Sequence, residues 1–545
     1  YASTYKWQRA PFAADTMGNT IQNSSKVSIN GRFNMTSLYN KVPYFKSVIK
    51  KQRMVQRSRG RNQKAARQTK NEKDGVKSKK DKLNILEHGA LFMLALKNVS
   101  VSYSEDRGTL LPGYNETIFG LGMSPSFDAP GVGFITGQQS SFGGDEVSFQ
   151  EFAASNGWLV QEENLNSFVS NTYSENLNIT ASLEPIKDLR VNLTATKNRG
   201  VNNQEFFRWN DSLGVYTSES PITTGNFTTS YSTWRTAFVP SNVNKSSTYD
   251  KFIENRAIIS QRLAKGNNNS NGDHQNDDGY QEGYGETQQD VLVPAFMAAY
   301  SGAPVGLASL SPFIQIPKFN WRITYNGLSK IPALKQYFQS VNLSHSYRAT
   351  FQMGGYNSNL IYQEDSDGWP LVFDLNQNFI PEFQFNTVSF SEQFSPLINF
   401  DMTWKNSLIT KVEFGKSRMV ALNMSNAQIT EDRSKEYVIG LGYKFKDLIL
   451  PFEITPGKKL KSDLKCRADF SIRDNKTIIR KIIEEQNQET AGQWVFTIKL
   501  SADYQMSKQV TVRLFFDRVA NRPVLTRSFP NSNTNAGISL RFSLS

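Results

Sequence analysis

The residues that most often carry covalent or metal chemistry are few in this sequence and lie far apart. Cysteine occurs once, at Cys466, and the three histidines are His88, His274 and His345. A reactive thiol needs a nearby base or cation that lowers its pKa, and none of these histidines has metal-ligand spacing. Cys466 alternates instead with polar neighbours in a set of apolar residues, which indicates a small apolar side chain on one face of a strand.

Two other segments could be mistaken for ligand sites. The glycines of Gly131–Gly137 lack the strand-to-helix context that a phosphate-binding loop requires. Asp273, Asp277 and Asp278 could be taken for a calcium loop, but the surrounding Asn, Gly and Gln favour a solvated loop. We therefore expect no enzymatic activity and no cofactor.

The charge of the chain is concentrated in one segment. Residues 41–82 hold 16 Lys and Arg against three acids, so this segment accounts for the whole net charge of +13. Three interpretations stay open: a mobile solvated loop, an arm that contacts anionic lipid headgroups or a partner protein, and nucleic-acid binding. Nucleic acid is the least favoured because aromatic residues for base stacking are scarce there. The candidate contact residues are Lys50, Lys51, Arg53, Arg57, Arg59 and Arg61.

Alternation with a period of two is the dominant pattern of the sequence. Near the C-terminus Ile538, Leu540 and Phe542 alternate with Ser539 and Arg541. This spacing sends one set of side chains to each face of a β-strand. It recurs in stretches close to the roughly 9–11 residues with which a tilted strand crosses a bilayer. The pattern predicts an all-β fold, a large transmembrane antiparallel β-barrel with irregular loop or cap insertions and one short amphipathic helix.

A barrel would place the polar set in an aqueous lumen and the apolar set in the lipid bilayer. The alternative for the polar set is the solvent face of a soluble sandwich or solenoid. The candidate lumen-facing residues are Asn178, Thr180, Asn192, Arg322, Arg348, Asp401, Lys499, Arg513 and Arg541. The candidate lipid-facing or interfacial aromatic residues are Trp321, Tyr325, Trp404, Tyr443, Trp494 and Phe542.

Local signals divide the chain. Residues 1–40 read as a strand region, 41–82 as the basic low-complexity arm, and 83–265 as barrel strands with a Gly/Pro/Ser-rich insertion and a short helix over Thr248–Lys265. Residues 266–289 read as a polar mobile loop and 290–545 as the C-terminal barrel strands. Short turns near 405–407 and 507–508 alternate with longer loops at 425–435, 474–492 and 520–534, while 447–457 is a longer segment on the short-turn side. Because outer-membrane barrels have short periplasmic turns, we expect the C-terminus on the periplasmic side.

Several segments in the second half of the chain resemble one known family. Six segments are similar in sequence and order to the SprA/Sov family. They are residues 320–332 (NWRITYNGLSKIP), 343–348 (LSHSYR), 394–397 (FSPL), 401–407 (DMTWKNS), 289–296 (QDVLVPAF) and 255–263 (NRAIISQRL). That family is the outer-membrane translocon of the type IX secretion system. The resemblance implies the C-terminal part of a very large barrel in a Gram-negative outer membrane, which exports folded cargo proteins from periplasm to cell surface. It further implies a lateral-gate shuttle barrel and a periplasmic plug protein as partners, and a role in gliding motility in some members.

Two other classes remain to be distinguished from a translocon. A TonB-dependent receptor or a lipopolysaccharide-export barrel would share the strand pattern, and a receptor would need an N-terminal plug with an energy-coupling box. A secreted adhesin or solenoid would be soluble without detergent.

Overall fold

The structure is a computed structural model that describes residues 1–11, 16–50, 94–142, 147–270, 278–455, 458–506, 509–525 and 528–542. Its strands are β1 (Ala2–Gln8), β2 (Asn19–Asn34), β3 (Leu96–Tyr114), β4 (Ser140–Phe142), β5 (Val147–Ser148), β6 (Val169–Ile186), β7 (Leu189–Asn210), β8 (Val215–Ser230), β9 (Asn320–Tyr325), β10 (Phe338–Ser358), β11 (Phe383–Phe385), β12 (Thr387–Trp404), β13 (Leu408–Asn423), β14 (Gln428–Thr455), β15 (Lys458–Lys481), β16 (Asn487–Gln505), β17 (Val510–Pro523) and β18 (Asn531–Phe542). The helices of the described ranges include Met35–Lys41, Val132–Ile135, Phe149–Ser155, Ser247–Gly266, Gln289–Ser301 and Pro332–Lys335, and residues 43–50 are helical too.

One antiparallel sheet of 16 strands dominates the described residues. Its order is β1-β2-β3-β6-β7-β8-β10-β12-β13-β14-β15-β16-β17-β18, so chain neighbours are almost always sheet neighbours. The all-β, antiparallel, barrel-type fold class predicted from the alternation is confirmed. In the described ranges β1 and β18 each pair on one side only, so these strands form a wall with two open edges.

Two strands share one position in this wall. β8 pairs with the second half of β7 and the second half of β10. β9 pairs with the first half of β7 and the middle of β10. Residues 231–319, which we call the insertion, leave the sheet at the end of β8 and return at β9.

The predicted hairpin at residues 177–196 is present and closes tightly. β6 and β7 pair from Val169 opposite Glu205 to Leu183 opposite Val191, and after a register shift Ile186 lies opposite Leu189, which leaves Lys187 and Asp188 between the two strands. Asp188 has a φ of 70°, which lies in the left-handed region of backbone conformation. We call the end of the wall that carries this turn and the turn at 405–407 the lower end, and the opposite end the upper end.

Most strands are longer than the sequence predicted. The expected loops at 425–435, 474–492 and 520–534 contract, because β14, β15, β16, β17 and β18 extend into them. The segment 447–457 is largely strand as well, since β14 continues to Thr455 and β15 begins at Lys458. The expected longer segment on the short-turn side is therefore wrong, and the lower end carries short connections at all three of its C-terminal hairpins.

The insertion contains two helices, one predicted and one not. The amphipathic helix predicted over Thr248–Lys265 is present as Ser247–Gly266. The apolar helix, Gln289–Ser301, occupies the start of the segment that the sequence analysis placed among barrel strands. The polar loop 266–289 is also not a mobile loop in its described second half, where Tyr280 and Tyr284 are buried in the core of the insertion. Residues 271–277 lie outside the described part.

None of the described helices is both long enough and apolar enough to cross a membrane.

Candidate functional site

Strand pairing places all nine candidate lumen residues on one face of the wall, which we call the polar face. Residues paired across neighbouring strands share a face, and this relation runs from Asn178 and Thr180 in β6 to Arg541 in β18. One row shows it directly: Asp401 pairs with Lys411, Lys411 with Gly440, Gly440 with Asp469, and Asp469 with Lys499. The other members of the set on this face are Asn192, Arg322, Arg348 and Arg513.

The polar face is concave across β12–β17, where it forms a groove of about 890 Å³. Its lining includes seven basic and four acidic side chains, a net of +3: Lys411, Lys444, Lys465, Arg467, Arg473, Lys499, Arg513, Asp401, Glu436, Asp469 and Asp503. Gly440 lies in the middle of this lining, and a Cβ there would meet Asp469 Oδ1 at 2.6 Å. The glycine thus leaves room for the carboxylate in the charged row.

Some of these charges are neutralised by neighbours. Arg473 contacts Glu436 at 2.8 Å, and Lys411 contacts Glu413 at 2.7 Å. Arg513 and Asp503 are 3.5 Å apart. The groove therefore offers a polypeptide or solute both paired and unpaired charges, with no apolar barrier along the row.

The opposite face, which we call the apolar face, carries all six candidate lipid-facing aromatics. In β14 the side chains of Tyr437, Ile439 and Leu441 are 50%, 53% and 45% exposed. Similar exposure in β15 to β18 produces an uncovered apolar belt along the lower half of the wall. The six aromatics are Trp321, Tyr325, Trp404, Tyr443, Trp494 and Phe542, and pairing puts each in register with residues of this face.

Neighbouring side chains hold Trp321 in a fixed position on this face. Its ring stacks on Tyr347 with centroids 4.3 Å apart. Its indole Nε1 donates a hydrogen bond to His345 Nε2 over 3.1 Å, and His345 Nδ1 lies 2.6 Å from the carbonyl oxygen of Leu397. The imidazole ring of His345 thus links the indole of Trp321 to the backbone of β12.

The insertion covers the upper half of the apolar face. Phe296 of the apolar helix stacks on Phe390 of β12 with centroids 5.2 Å apart. Both side chains belong to a buried cluster that also contains Phe351 of β10 and Leu422 of β13. On the N-terminal side the described residues between Asn115 and Phe168 play the same part, with Phe134 packed in one cluster with Ile21 of β2 and Leu111 of β3. Two separate chain segments thus remove the upper apolar face from solvent.

Beneath the insertion, the apolar face carries buried charges that the sequence analysis missed. Glu392 of β12 and Arg418 of β13 form an ion pair at 3.1 Å, with side chains 2% and 3% exposed. Thr233 Oγ1 donates to Glu392 over 2.6 Å, and Arg418 donates to Thr236 Oγ1 over 2.9 Å. Both residues occupy positions whose alternation places them on the apolar face of their strands. A charged residue at such a position is the sequence signal that could have identified this pair.

A second buried pair lies two strands further along the wall. Glu431 of β14 and Arg480 of β15 are 3.6 Å apart, and both are 1% exposed. Arg480 donates to Ser241 Oγ over 2.9 Å and to the carbonyl oxygen of Asn242 over 2.8 Å. Polar groups of the insertion therefore contact both pairs, and these hydrogen bonds offset part of the cost of removing the charges from water.

The start of the apolar helix carries a carboxyl group in a desolvated setting. The Gln288 side chain caps this helix by accepting from Val291 N over 3.0 Å and also donates to Asp290 over 2.9 Å. Burial raises the pKa of Asp290 above its ordinary value, although the Gln288 hydrogen bond acts in the opposite direction. Burial likewise raises the pKa of Glu382, with a further contribution from Glu364 and Asp290.

Only part of the candidate basic arm falls in the described residues. Residues 43–50 are helical, and Val48 is buried beside Tyr39 and Leu94. This first part of the arm is therefore packed against the rest of the structure. Lys50 is exposed at the end of that helix. The candidates Lys51, Arg53, Arg57, Arg59 and Arg61 lie outside the described residues, as do Asp273 and Asp277 of the polar loop.

Comparison with known proteins gives only remote structural similarity. No family model matches the sequence, and no curated protein does. The chain is similar to the RagAB peptide transporter at 11% identity and a TM-score of 0.24, over 78% of this chain and 44% of that one. It is similar to the RagAB peptide importer in its open-open state at 12% identity and a TM-score of 0.27, over 79% and 45%. The anion-selective porin from Comamonas acidovorans matches at 7% identity and a TM-score of 0.11, over 68% and 92%. The chain thus spans less than half the length of the RagAB chains, and none of these scores reaches the level of a shared fold.

Proposed function

We propose that the chain forms part of the wall of a protein-conducting translocon in the outer membrane of a Gram-negative bacterium. The observation that carries the proposal is the consistent sorting of side chains, with charges in register on the concave face and an exposed apolar belt on the other. A wall of this kind solvates a passenger on one side and excludes lipid on the other. The lower end, with its short connections, would face the periplasm, and the insertion would lie at the cell-surface end.

The assignment to type IX secretion rests on the resemblance of the second half of the sequence to the SprA/Sov family. By that resemblance the passengers are folded secreted proteins, and a lateral-gate shuttle barrel and a periplasmic plug protein are the partners. The mechanism involves no covalent step. The wall provides a polar path, and its partners open and close the path at the two ends.

Export of surface proteins tests this proposal. The gene for the full-length protein would be deleted in the native organism and restored on a plasmid, and surface and periplasmic proteins would be quantified in all three strains. We expect a set of proteins to move from the cell surface to the periplasm on deletion and to return on complementation. Unchanged surface proteins, together with loss of uptake of one nutrient or of surface lipopolysaccharide, would instead identify a TonB-dependent receptor or a lipopolysaccharide-export barrel.

A further inference from the structure

Three cations of the groove lack an acidic partner. Lys465, Arg467 and Lys499 are exposed on the polar face and line the groove. In the described part of the chain no carboxylate oxygen lies within the 4.0 Å of an ion pair from any of the three. Asp469 is the register partner of Lys499, but the two side chains form no ion pair. Charges left unpaired in a concave surface raise the local concentration of oppositely charged ligands.

The spacing of the three cations follows from the sheet. Lys465 and Arg467 are two residues apart on β15 and therefore point to the same face about 7 Å apart along the strand. Lys499 pairs with Asp469, which makes it the diagonal neighbour of Arg467 on β16, again about 7–8 Å away. An extended peptide also presents every second side chain on one side at about 7 Å spacing. Carboxylates at alternate positions of such a peptide would match the two cations of β15.

We propose that Lys465, Arg467 and Lys499 form a binding band for acidic, extended segments that a transported folded protein exposes on its surface. The inference deepens the proposed function and rests on it. A guanidinium group binds a carboxylate through two parallel hydrogen bonds, and lysines add point charges on either side. A polyanion that spans the band contacts all three cations, whereas a single small anion contacts fewer of them at this spacing.

Peptide binding to the full-length protein in detergent tests the band. The probe is a fluorescent peptide of alternating Glu and Ser, compared with an equally long Lys/Ser peptide and with a Gly/Ser peptide, by anisotropy at low salt. We expect preferential binding of the Glu/Ser peptide, weakened by salt. The triple variant Lys465→Gln, Arg467→Gln, Lys499→Gln should bind it about tenfold less tightly, because three charge-assisted contacts and their attraction at low salt are lost.

The matched control removes the same charge from the other face. Lys435, Lys476 and Arg518 are exposed on the apolar face, outside the groove. The variant Lys435→Gln, Lys476→Gln, Arg518→Gln should keep wild-type peptide affinity. Equal loss in both triple variants would show a general charge effect and overturn the band, as would competition by inorganic phosphate at matched ionic strength as effective as competition by unlabelled peptide.

The outcome can be separated from that of the proposed function. If deletion of the gene abolishes surface export while the groove variant binds the acidic peptide normally, the translocon stands and the band is wrong. If the groove variant loses binding while deletion leaves export intact, the band exists but does not serve export.

Discussion

Leu500 and Thr497 lie three residues apart on β16 and face opposite sides of the wall. Leu500 belongs to the exposed apolar belt, and Thr497 lines the polar groove. We predict that Leu500→Arg lowers the free energy of unfolding in lipid by about 2–4 kcal/mol, because an arginine near the bilayer midplane is poorly solvated. Thr497→Arg should cost less than about 1 kcal/mol, since polar-face residues of a barrel contact water.

Urea unfolding of the full-length protein in phospholipid vesicles, followed by tryptophan fluorescence, measures both values. The two arginine variants control for each other, because they share strand, charge and side-chain size. Equal costs at the two positions would contradict the assignment of the two faces.

The buried pair of Glu392 and Arg418 gives a second test at the residue scale. Loss of one partner leaves the other charge buried and unpaired, which costs about 3–5 kcal/mol in comparable pairs. We predict that Glu392→Leu destabilises the docked insertion more than the double change Glu392→Leu, Arg418→Met does, because the double change leaves no buried charge. The rate of proteolytic cleavage within residues 231–319 reports this difference. A double variant that is cleaved as fast as the Glu392→Leu variant, or faster, would refute it.

The alternation predicted the facing of the fifteen lumen and interfacial candidates, because side-chain parity depends only on strand geometry. It did not predict Glu392, Arg418, Glu431 or Arg480. These residues have the parity of the apolar set, and only the folded chain shows that the insertion supplies Thr233, Thr236 and Ser241 as their partners.

At the scale of elements, the alternation predicted the strands correctly where one face is apolar. Where neither face is apolar, the predicted strands were shorter than the observed ones. The upper ends of β14 and β15 carry Asp432, Ser434, Asn475 and Thr477 on the polar face and charges on the other. Apolar and polar residues do not alternate in these upper ends. The strand ends are therefore defined by the backbone hydrogen bonds between strands and not by the sequence pattern.

The apolar helix was missed for a related reason. Its residues are apolar around the whole circumference, and Val291 to Ser301 are all buried. A fully buried helix has no amphipathic period by which to recognise it. In the structure Pro294 is the sixth residue of the helix, where its missing N–H leaves out the backbone hydrogen bond to Asp290, and the helix continues to Ser301.

The insertion should be more stable in mild acid than at neutral pH as far as Asp290 is concerned. The raised pKa of Asp290 means that the folded state favours the protonated carboxyl group. The stability that the protonated Asp290 carboxyl group contributes is complete below the ordinary pKa of an aspartate. It is lost as the pH rises through the raised pKa of Asp290. We predict that Asp290→Asn stabilises the insertion at pH 7 and has a smaller effect at pH 4.

Hydrogen exchange of residues 289–301 at both pH values, corrected for the intrinsic rate, measures this stability. Asp250→Asn, in the first turn of the amphipathic helix, is the control, because Asp250 is exposed. A stabilisation by Asp290→Asn that is the same at pH 4 and pH 7 would contradict the assigned cause.

At the scale of the molecule, covered and uncovered apolar surface together define where a bilayer fits. The insertion and the described residues between Asn115 and Phe168 occupy the upper apolar face, and the belt below them is exposed. The strands are therefore longer than a membrane span requires, and their upper parts would extend beyond the bilayer as a support for the insertion.

The central claim is that one face of this wall meets lipid and the other meets water. Spin labels on single cysteines at positions 495 to 502 of β16 test it most directly, in full-length protein whose native cysteines, Cys466 included, are replaced by alanine and which is reconstituted in vesicles. We expect accessibility to oxygen, which partitions into lipid, to peak at the even positions, and accessibility to a water-soluble nickel reagent to peak at the odd ones. Equal or inverted accessibility at the even and odd positions would contradict the account.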